Sequence, residues 1–411
     1  HCVTRRQRQM CIRDRLNSTH SQPLTGEKTE KYMGNQKKYC RYNWIFLLSV
    51  FLPVVTVGIF NIIVNPYDVF DTPNLLGINH SKPRKDNNDR LFKTIDIIRI
   101  KPVTVLLGSS RIKRALDPNH PALANYQPAY NLGLDSPNVY ELRPYLEHAI
   151  ANQEELGLVI VGLDFFTFNS FHENRLNFSE NRLEKQHISA KDFINLTFSI
   201  DALLASQETI VDSRKTQAYY LGYGENGFMP QLNIDPKKTR QRFNRLISYY
   251  LKYRYARYQL SAQFLDELRK IVDLSQKNRI KLILFISPCH GTHWEAMKRK
   301  DKWSNFEEWK RKIVEISDVF DFSGYNSITT EAIHNNMKNY TENSHYTPQV
   351  GNLILNRILS YKEEEVPEDF GILINQENIE SNLEKIRQDR EFWAKNNPDE
   401  VKFIKEIQEK L

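Results

Sequence analysis

The chain reads as an α/β protein: one transmembrane helix, then a mostly parallel five-stranded sheet with helices on both faces. Three observations carry that expectation. Apolar runs at Val103–Leu107, Leu158–Leu163 and Lys281–Ile286 lack the polar alternation of half-exposed strands, which suits strands buried on both faces. Amphipathic segments lie between them. Asn138–Asn152 puts Leu142, Leu146 and Ile150 on one face, and Leu260–Leu274 is built on Phe264, Leu265, Leu268, Ile271 and Val272. Such alternation is the pattern of strands joined by crossover helices. The third observation is that the first run passes straight into Gly108-Ser109-Ser110-Arg111, a small-residue turn opening onto a helix. Ala129-Tyr130-Asn131 and Val319-Phe320-Asp321 supply the other two strands.

The N-terminus divides into three parts. Residues 1–32 read as a non-native leader, because Arg5 to Arg15 resembles a translated sequencing-library adapter and is excluded from fold reasoning. That stretch holds five arginines and one aspartate, so without it the formal net charge of +7 becomes +3. The remaining chain is close to neutral, and no nucleic-acid partner is expected. Residues 33–43, from Met33, form a basic flank containing Lys37, Lys38 and Arg41. The 21 residues 44–64, Trp44 to Val64, carry no ionisable side chain and match the roughly 20 needed to span a bilayer core. Asp68 and Asp71 follow. The charge asymmetry predicts a cytoplasmic N-terminus and an outer C-terminal domain, anchored by one helix in a bacterial inner membrane. With no Ala-x-Ala site after the apolar run, an uncleaved anchor is expected.

Residues 65–100 read as a polar extracytoplasmic approach segment, 101–361 as the α/β domain, and 362–411 as a charged helical tail. The stretch at about 170–259 interrupts the alternation and reads as an insertion. Within it, Lys237 to Tyr258 holds eight Lys or Arg and no acid, interleaved with Tyr249, Tyr250, Tyr253, Tyr255 and Tyr258. Outside a membrane that composition suits sugar rings and anionic polymer; an ordinary surface helix is the plain alternative. Cys289 stands alone in the outer domain, so no disulfide is expected there.

Two distant motifs carry the chemistry. Ser110 follows strand one, at a helix N-terminus whose free N–H groups favour developing negative charge. Glu342-Asn343-Ser344-His345-Tyr346 precedes Thr347-Pro348, a cap residue with proline at the first helical position. A late histidine with an acid three residues before it is the arrangement needed to deprotonate an early serine.

The order of these turns resembles the SGNH (GDSL-like) hydrolase superfamily over roughly residues 100–360. The membrane anchor and the Gly-Ser-Ser form look most like its cell-envelope branch, which includes teichoic-acid D-alanyl-transfer and alginate O-acetylation proteins. The resemblance implies Ser110 as nucleophile, His345 as base and Glu342 as the orienting acid. It implies an oxyanion and substrate set from Asn131, Gly133 and Ser136, where Ser136 replaces a glycine. The third block, Gly162-Leu163-Asp164-Phe165, has Asp164 where the family places an asparagine donor; Asn169 is the nearest substitute. Cys289-His290-Gly291-Thr292-His293 follows strand four at the same sheet edge. His290 there is expected to contact substrate, in preference to a His-x-x-His zinc site. The resemblance implies a serine esterase or O-acyltransferase acting on acyl esters, acetyl first among them, of an envelope polysaccharide, without metal or organic cofactor. A separate multi-spanning membrane O-acyltransferase would be its partner. The competing class is a glycan-binding or assembly protein that keeps the fold without catalysis.

Overall fold

The computed structural model describes residues 26–215, 225–231 and 234–411; the adapter-like stretch lies outside them. The chain forms two compact units, 1–60 and 61–411. The first holds most of helix α1 (Gly26–Val64), whose last turn belongs to the second. From Lys37 to Val64 this helix is long and apolar enough to cross a membrane. It runs past the expected 44–64 span because nothing in the flank 37–43 breaks a helix.

The sheet of the second unit has six strands, one more than expected: β1 (Thr104–Gly108), β2 (Ala129–Gly133), β3 (Leu158–Leu163), β4 (Lys281–Ile286), β5 (Val319–Asp321) and β6 (Ile372–Ile374). Their order is β2-β1-β3-β4-β5-β6. The first five are parallel, while β6, from the tail, pairs antiparallel with β5. The helices of this unit are α2 (Asp89–Ile100), α3 (Ser110–Ala115), α4 (Val139–Asn152), α5 (Glu180–Leu183), α6 (Ala190–Phe198), α7 (Ile200–Ser213), α8 (Thr239–Tyr249), α9 (Ala262–Lys277), α10 (Gly291–Arg299), α11 (Trp303–Val314), α12 (Pro348–Ile358), α13 (Ile379–Asn396) and α14 (Pro398–Glu409). The chain moves one way from β1 to β2 and the other way from β2 to β3. Right-handed crossovers therefore put α3 and α4 on opposite faces. The packing agrees: α3 lies against α12, and α4 against α9. The reversal opens a crevice at the carboxyl ends of β1 and β3, the usual place for a site in such a sheet.

At the end of β1 the backbone of Gly108 has φ +148°, and a Cβ there would lie 2.5 Å from Ile112 and 2.8 Å from the Gly162 carbonyl. Only glycine lets the strand turn into α3 that close to β3.

Three expected segments are corrected. Residues 65–100 are not a mere polar approach: Asp89 to Ile97 of α2 are all buried. Arg90 Nε donates to Glu141 Oε2 at 2.6 Å with both side chains enclosed, tying α2 to α4. The tail is an integral part of the unit, supplying β6 and the buried side chains of Leu383, Trp393, Phe403 and Ile404. The insertion packs inward as well. Phe243, Ile247, Tyr250, Leu251, Tyr255 and Tyr258 join the main core, which leaves Tyr249 and Tyr253 as the exposed tyrosines of the basic stretch.

Candidate functional site

Ser109 and Ser110 divide two tasks. Ser109 is the N-cap of α3, its buried Oγ accepting the Arg111 N–H at 3.2 Å. Ser110, the first residue of the helix, turns its Oγ to His345 Nε2 at 2.8 Å. As a first-turn residue it has no earlier helical carbonyl to receive its own N–H.

His345 sits on a short loop between the paired, buried Tyr340 and Tyr346. Glu342 fixes the ring, with Oε1 2.5 Å from Nδ1 and 2.7 Å from the His345 backbone N–H. A carboxylate only accepts, so Nδ1 carries the proton and Nε2 is free to accept from Ser110. Burial lowers the pKa of His345 below its ordinary value, the Glu342 charge works against that, and Arg114 adds to the lowering. Burial pushes the Glu342 carboxyl up, but the facing imidazole and its two N–H bonds outweigh it and hold the carboxyl below its usual range. The neutral ring beside an ionised carboxylate can take a proton at neutral pH.

The other expected residues divide into supports and neighbours. Asn131 is fully buried. Its Nδ2 donates to the Ile112 and Leu116 carbonyls at 2.8 and 2.7 Å, and its Oδ1 receives the Gly133 N–H at 3.0 Å. The pair therefore latches α3 from below, and neither amide is open to an oxyanion. Gly133 is needed for close approach, since a Cβ would fall 2.4 Å from the Lys113 backbone nitrogen. Ser136 is half-buried with φ +48°, and its backbone N–H meets no acceptor among the described residues. Its Oγ receives a bond from Arg254, whose Nη1 lies 3.2 Å from His172 Nε2. Asp164 is enclosed and bound to Arg111, so it offers no donor. Asn169 is fixed through its Oδ1, which accepts from the Phe171 and Gln259 N–H groups and holds the insertion to the end of β3.

His290 does not face substrate. It is the buried N-cap of α10, Nδ1 accepting the Thr292 N–H at 3.2 Å and Nε2 donating to the Glu331 carbonyl at 2.6 Å. Its own backbone N–H donates to the Asn343 carbonyl, bracing the loop that carries His345. His293 Nε2 lies 2.6 Å from the Tyr255 hydroxyl, so both ring systems of the His-x-x-His motif are committed to protein partners. Among the described residues no group of three or more His, Cys, Asp or Glu is placed to hold a metal.

The chain matches no protein-family model, and no curated protein matches it significantly.

Arg111, Ser344 and Arg114 carry no role in the sequence reading. Arg111 Nε and Nη2 reach Ser344 Oγ at 3.2 and 2.9 Å, joining the residue after Ser110 to the residue before His345. Tyr250 from the insertion bonds the same Ser344 hydroxyl at 3.0 Å. The signal for Arg111 is a cation at the second position of a helix that opens directly from a buried strand. Here that side chain points inward and meets the Asp164 carboxylate.

Proposed function

We propose that the chain is a membrane-anchored, extracytoplasmic SGNH-like esterase or O-acyltransferase acting on acyl esters, acetyl first among them, of a cell-envelope polysaccharide. The observation that supports this reading is the unbroken line of hydrogen bonds from Ser110 through His345 to Glu342. In this reading Ser110 Oγ attacks the ester carbonyl carbon while its proton passes to His345 Nε2. Backbone N–H groups of Ser110 and Ser136 hold the oxyanion, and Glu342 stabilises the imidazolium. The imidazolium returns the proton to the departing alkoxide, leaving an acyl-Ser110. Water or a sugar hydroxyl then attacks the acyl carbon, His345 taking its proton and returning it to the departing Ser110 Oγ, so that the free acid or the acylated sugar is released. None of these steps calls for a metal or organic cofactor. Helix α1 would anchor the protein by a single pass in a bacterial inner membrane, with the domain in the periplasm. A multi-spanning membrane O-acyltransferase would be the partner that supplies acyl groups.

One observation favours the non-catalytic glycan-binding alternative: the end of β3 carries Asp164, locked to Arg111, in place of a side-chain amide donor. Losing one oxyanion donor costs on the order of a hundredfold or more in rate. A fluorophosphonate probe, which reports serines activated by a neighbouring base, separates the two. The full chain in detergent is expected to label at Ser110; a folded protein that does not label is the binding protein instead.

A further inference from the structure

Helix α7 is built inside out for a water-exposed element. The side that it turns into the protein carries Ala202, Ala205, Ser206, Thr209, Asp212 and Ser213, all buried. The outward side carries Ile200, Leu204 and Val211, exposed at 76, 44 and 61%, flanked by the exposed Asp201, Gln207 and Glu208. At about 100° per residue the three apolar side chains fall within roughly 40° of arc. Small residues packed inward, with a stripe of large apolar side chains outward and polar ones along its edges, is the pattern of a helix lying in a membrane interface. The preceding α6 continues the surface with Phe193 and Ile194, exposed at 39 and 55%.

The place of this surface is fixed by the last turn of α1. Asn61 is fully buried there; its Nδ2 donates to the Thr197 carbonyl at 2.8 Å and its Oδ1 accepts from Ser206 Oγ at 2.8 Å. One amide thus ties the end of α6 and the middle of α7 to the residue three positions before the apolar run ends. The segment Pro73–Asn79 is held at the same point, Asn79 Nδ2 donating to the Ile63 carbonyl at 3.2 Å, and it exposes Leu76 at 90%. Lys82 Nζ donates to the Val64 and Asn65 carbonyls, closing the helix end with a cation.

We infer that α6, α7 and the Pro73–Asn79 segment lie in the interface of the bilayer that α1 crosses, with Phe193, Ile194, Ile200, Leu204 and Leu76 among the lipid headgroups and upper acyl chains. Apolar side chains in that layer sit roughly 5–10 Å below the headgroup boundary. The inference rests on the reading of α1 as a membrane span.

The test uses the full chain with Cys2, Cys11 and Cys40 replaced by serine, Cys289 being buried, reconstituted in phosphatidylcholine vesicles. An environment-sensitive nitrobenzoxadiazole label is placed at Leu76→Cys, Ile200→Cys or Leu204→Cys, with Leu52→Cys inside α1 and the exposed Ser381→Cys on α13 as references. Circular dichroism matching the parent shows that each variant is folded. Lipids with a nitroxide near the headgroup end of the acyl chain are expected to quench positions 76, 200 and 204 severalfold more than position 381. A nitroxide near the methyl end should quench them less than the shallow one does. Quenching at 52 with none at 76, 200 and 204, and ready access of an aqueous nickel chelate to those three, overturns the inference alone; the surface would then be open to a protein partner. Absence of quenching at 52 overturns the span and the inference together.

Discussion

Arg111 Nη1 donates to Asp164 Oδ1 at 2.5 Å, and this enclosed ion pair joins the carboxyl ends of β1 and β3 directly beneath the serine–histidine pair. The remaining nitrogens of the guanidinium hold Ser344, next to His345. Removing one partner of a buried pair leaves an uncompensated charge, at a cost of about 3–5 kcal/mol. Asp164→Ala is therefore expected to lower stability by that amount in urea unfolding of the detergent-solubilised chain. The double variant Arg111→Met/Asp164→Leu should recover most of the loss, because apolar replacement of both partners is often neutral. A double variant as unstable as Asp164→Ala would mean that the pair does more than neutralise itself.

The division of labour between the adjacent serines gives a second expectation. Ser110→Ala should abolish fluorophosphonate labelling, since it removes the atom bonded to His345. Ser109→Ala should keep labelling but lose about 1 kcal/mol of stability, the usual value of a helix N-cap. Labelling that survives Ser110→Ala and vanishes in Ser109→Ala would reverse the assignment.

The strands around the site were legible because a parallel strand buried on both faces has to be apolar throughout, as Leu158–Leu163 is. The short acid-x-x-His spacing also encodes a local contact, since Glu342 reaches both the ring and the backbone of His345. Other parts were hidden for physical reasons. Helix α2 reads as polar because Asp89, Arg90, Lys93 and Asp96 bury their charges in pairs and carbonyl contacts that no hydropathy pattern records. Strand β6 is three residues long, and the exposure of Ile372 and Leu373 at the sheet edge gives it no burial signature. His290 lies at the active edge in sequence, yet it caps α10 and faces inward; spacing cannot tell a cap from a ligand. The tyrosines of the basic stretch likewise carry no mark that separates the core-packed Tyr250 and Tyr255 from the exposed Tyr253.

The electrostatics of the pair set a pH dependence. Labelling needs neutral His345, whose pKa burial holds below its ordinary 6.5. The labelling rate should therefore stay level as pH falls to 6.5 and drop only at lower pH. Glu342 raises that pKa against the effect of burial, so Glu342→Gln should move the midpoint further down. It should also slow labelling, by up to about four orders of magnitude, since orientation of the ring and stabilisation of the imidazolium are both weakened. A midpoint at or above 6.5 in the parent, or an upward shift in Glu342→Gln, would contradict this account of the site.

Acid should destabilise the fold before the carboxylates titrate. Burial pushes His290 down to about 4, and burial with the Arg254 charge takes His172 to about 4 as well; His293 is also held well below its ordinary value, again chiefly by burial. A histidine whose folded pKa lies below its unfolded 6.5 binds its proton more readily in the unfolded chain. Its contribution is thus complete above 6.5 and is lost as pH falls from 6.5 towards 4. Glu342, held below its ordinary 4.5, gives way only at lower pH. The unfolding midpoint should accordingly fall between pH 6.5 and 4.5, where most carboxylates are still ionised. His290→Asn separates this effect from general acid sensitivity. Asparagine can still cap α10 by accepting the Thr292 N–H, but it does not titrate. The variant is expected to be about 1 kcal/mol less stable at neutral pH, having lost the bond to the Glu331 carbonyl, and to show a shallower decline between pH 6.5 and 4.5. A decline as steep as the parent's would place the acid-labile group elsewhere.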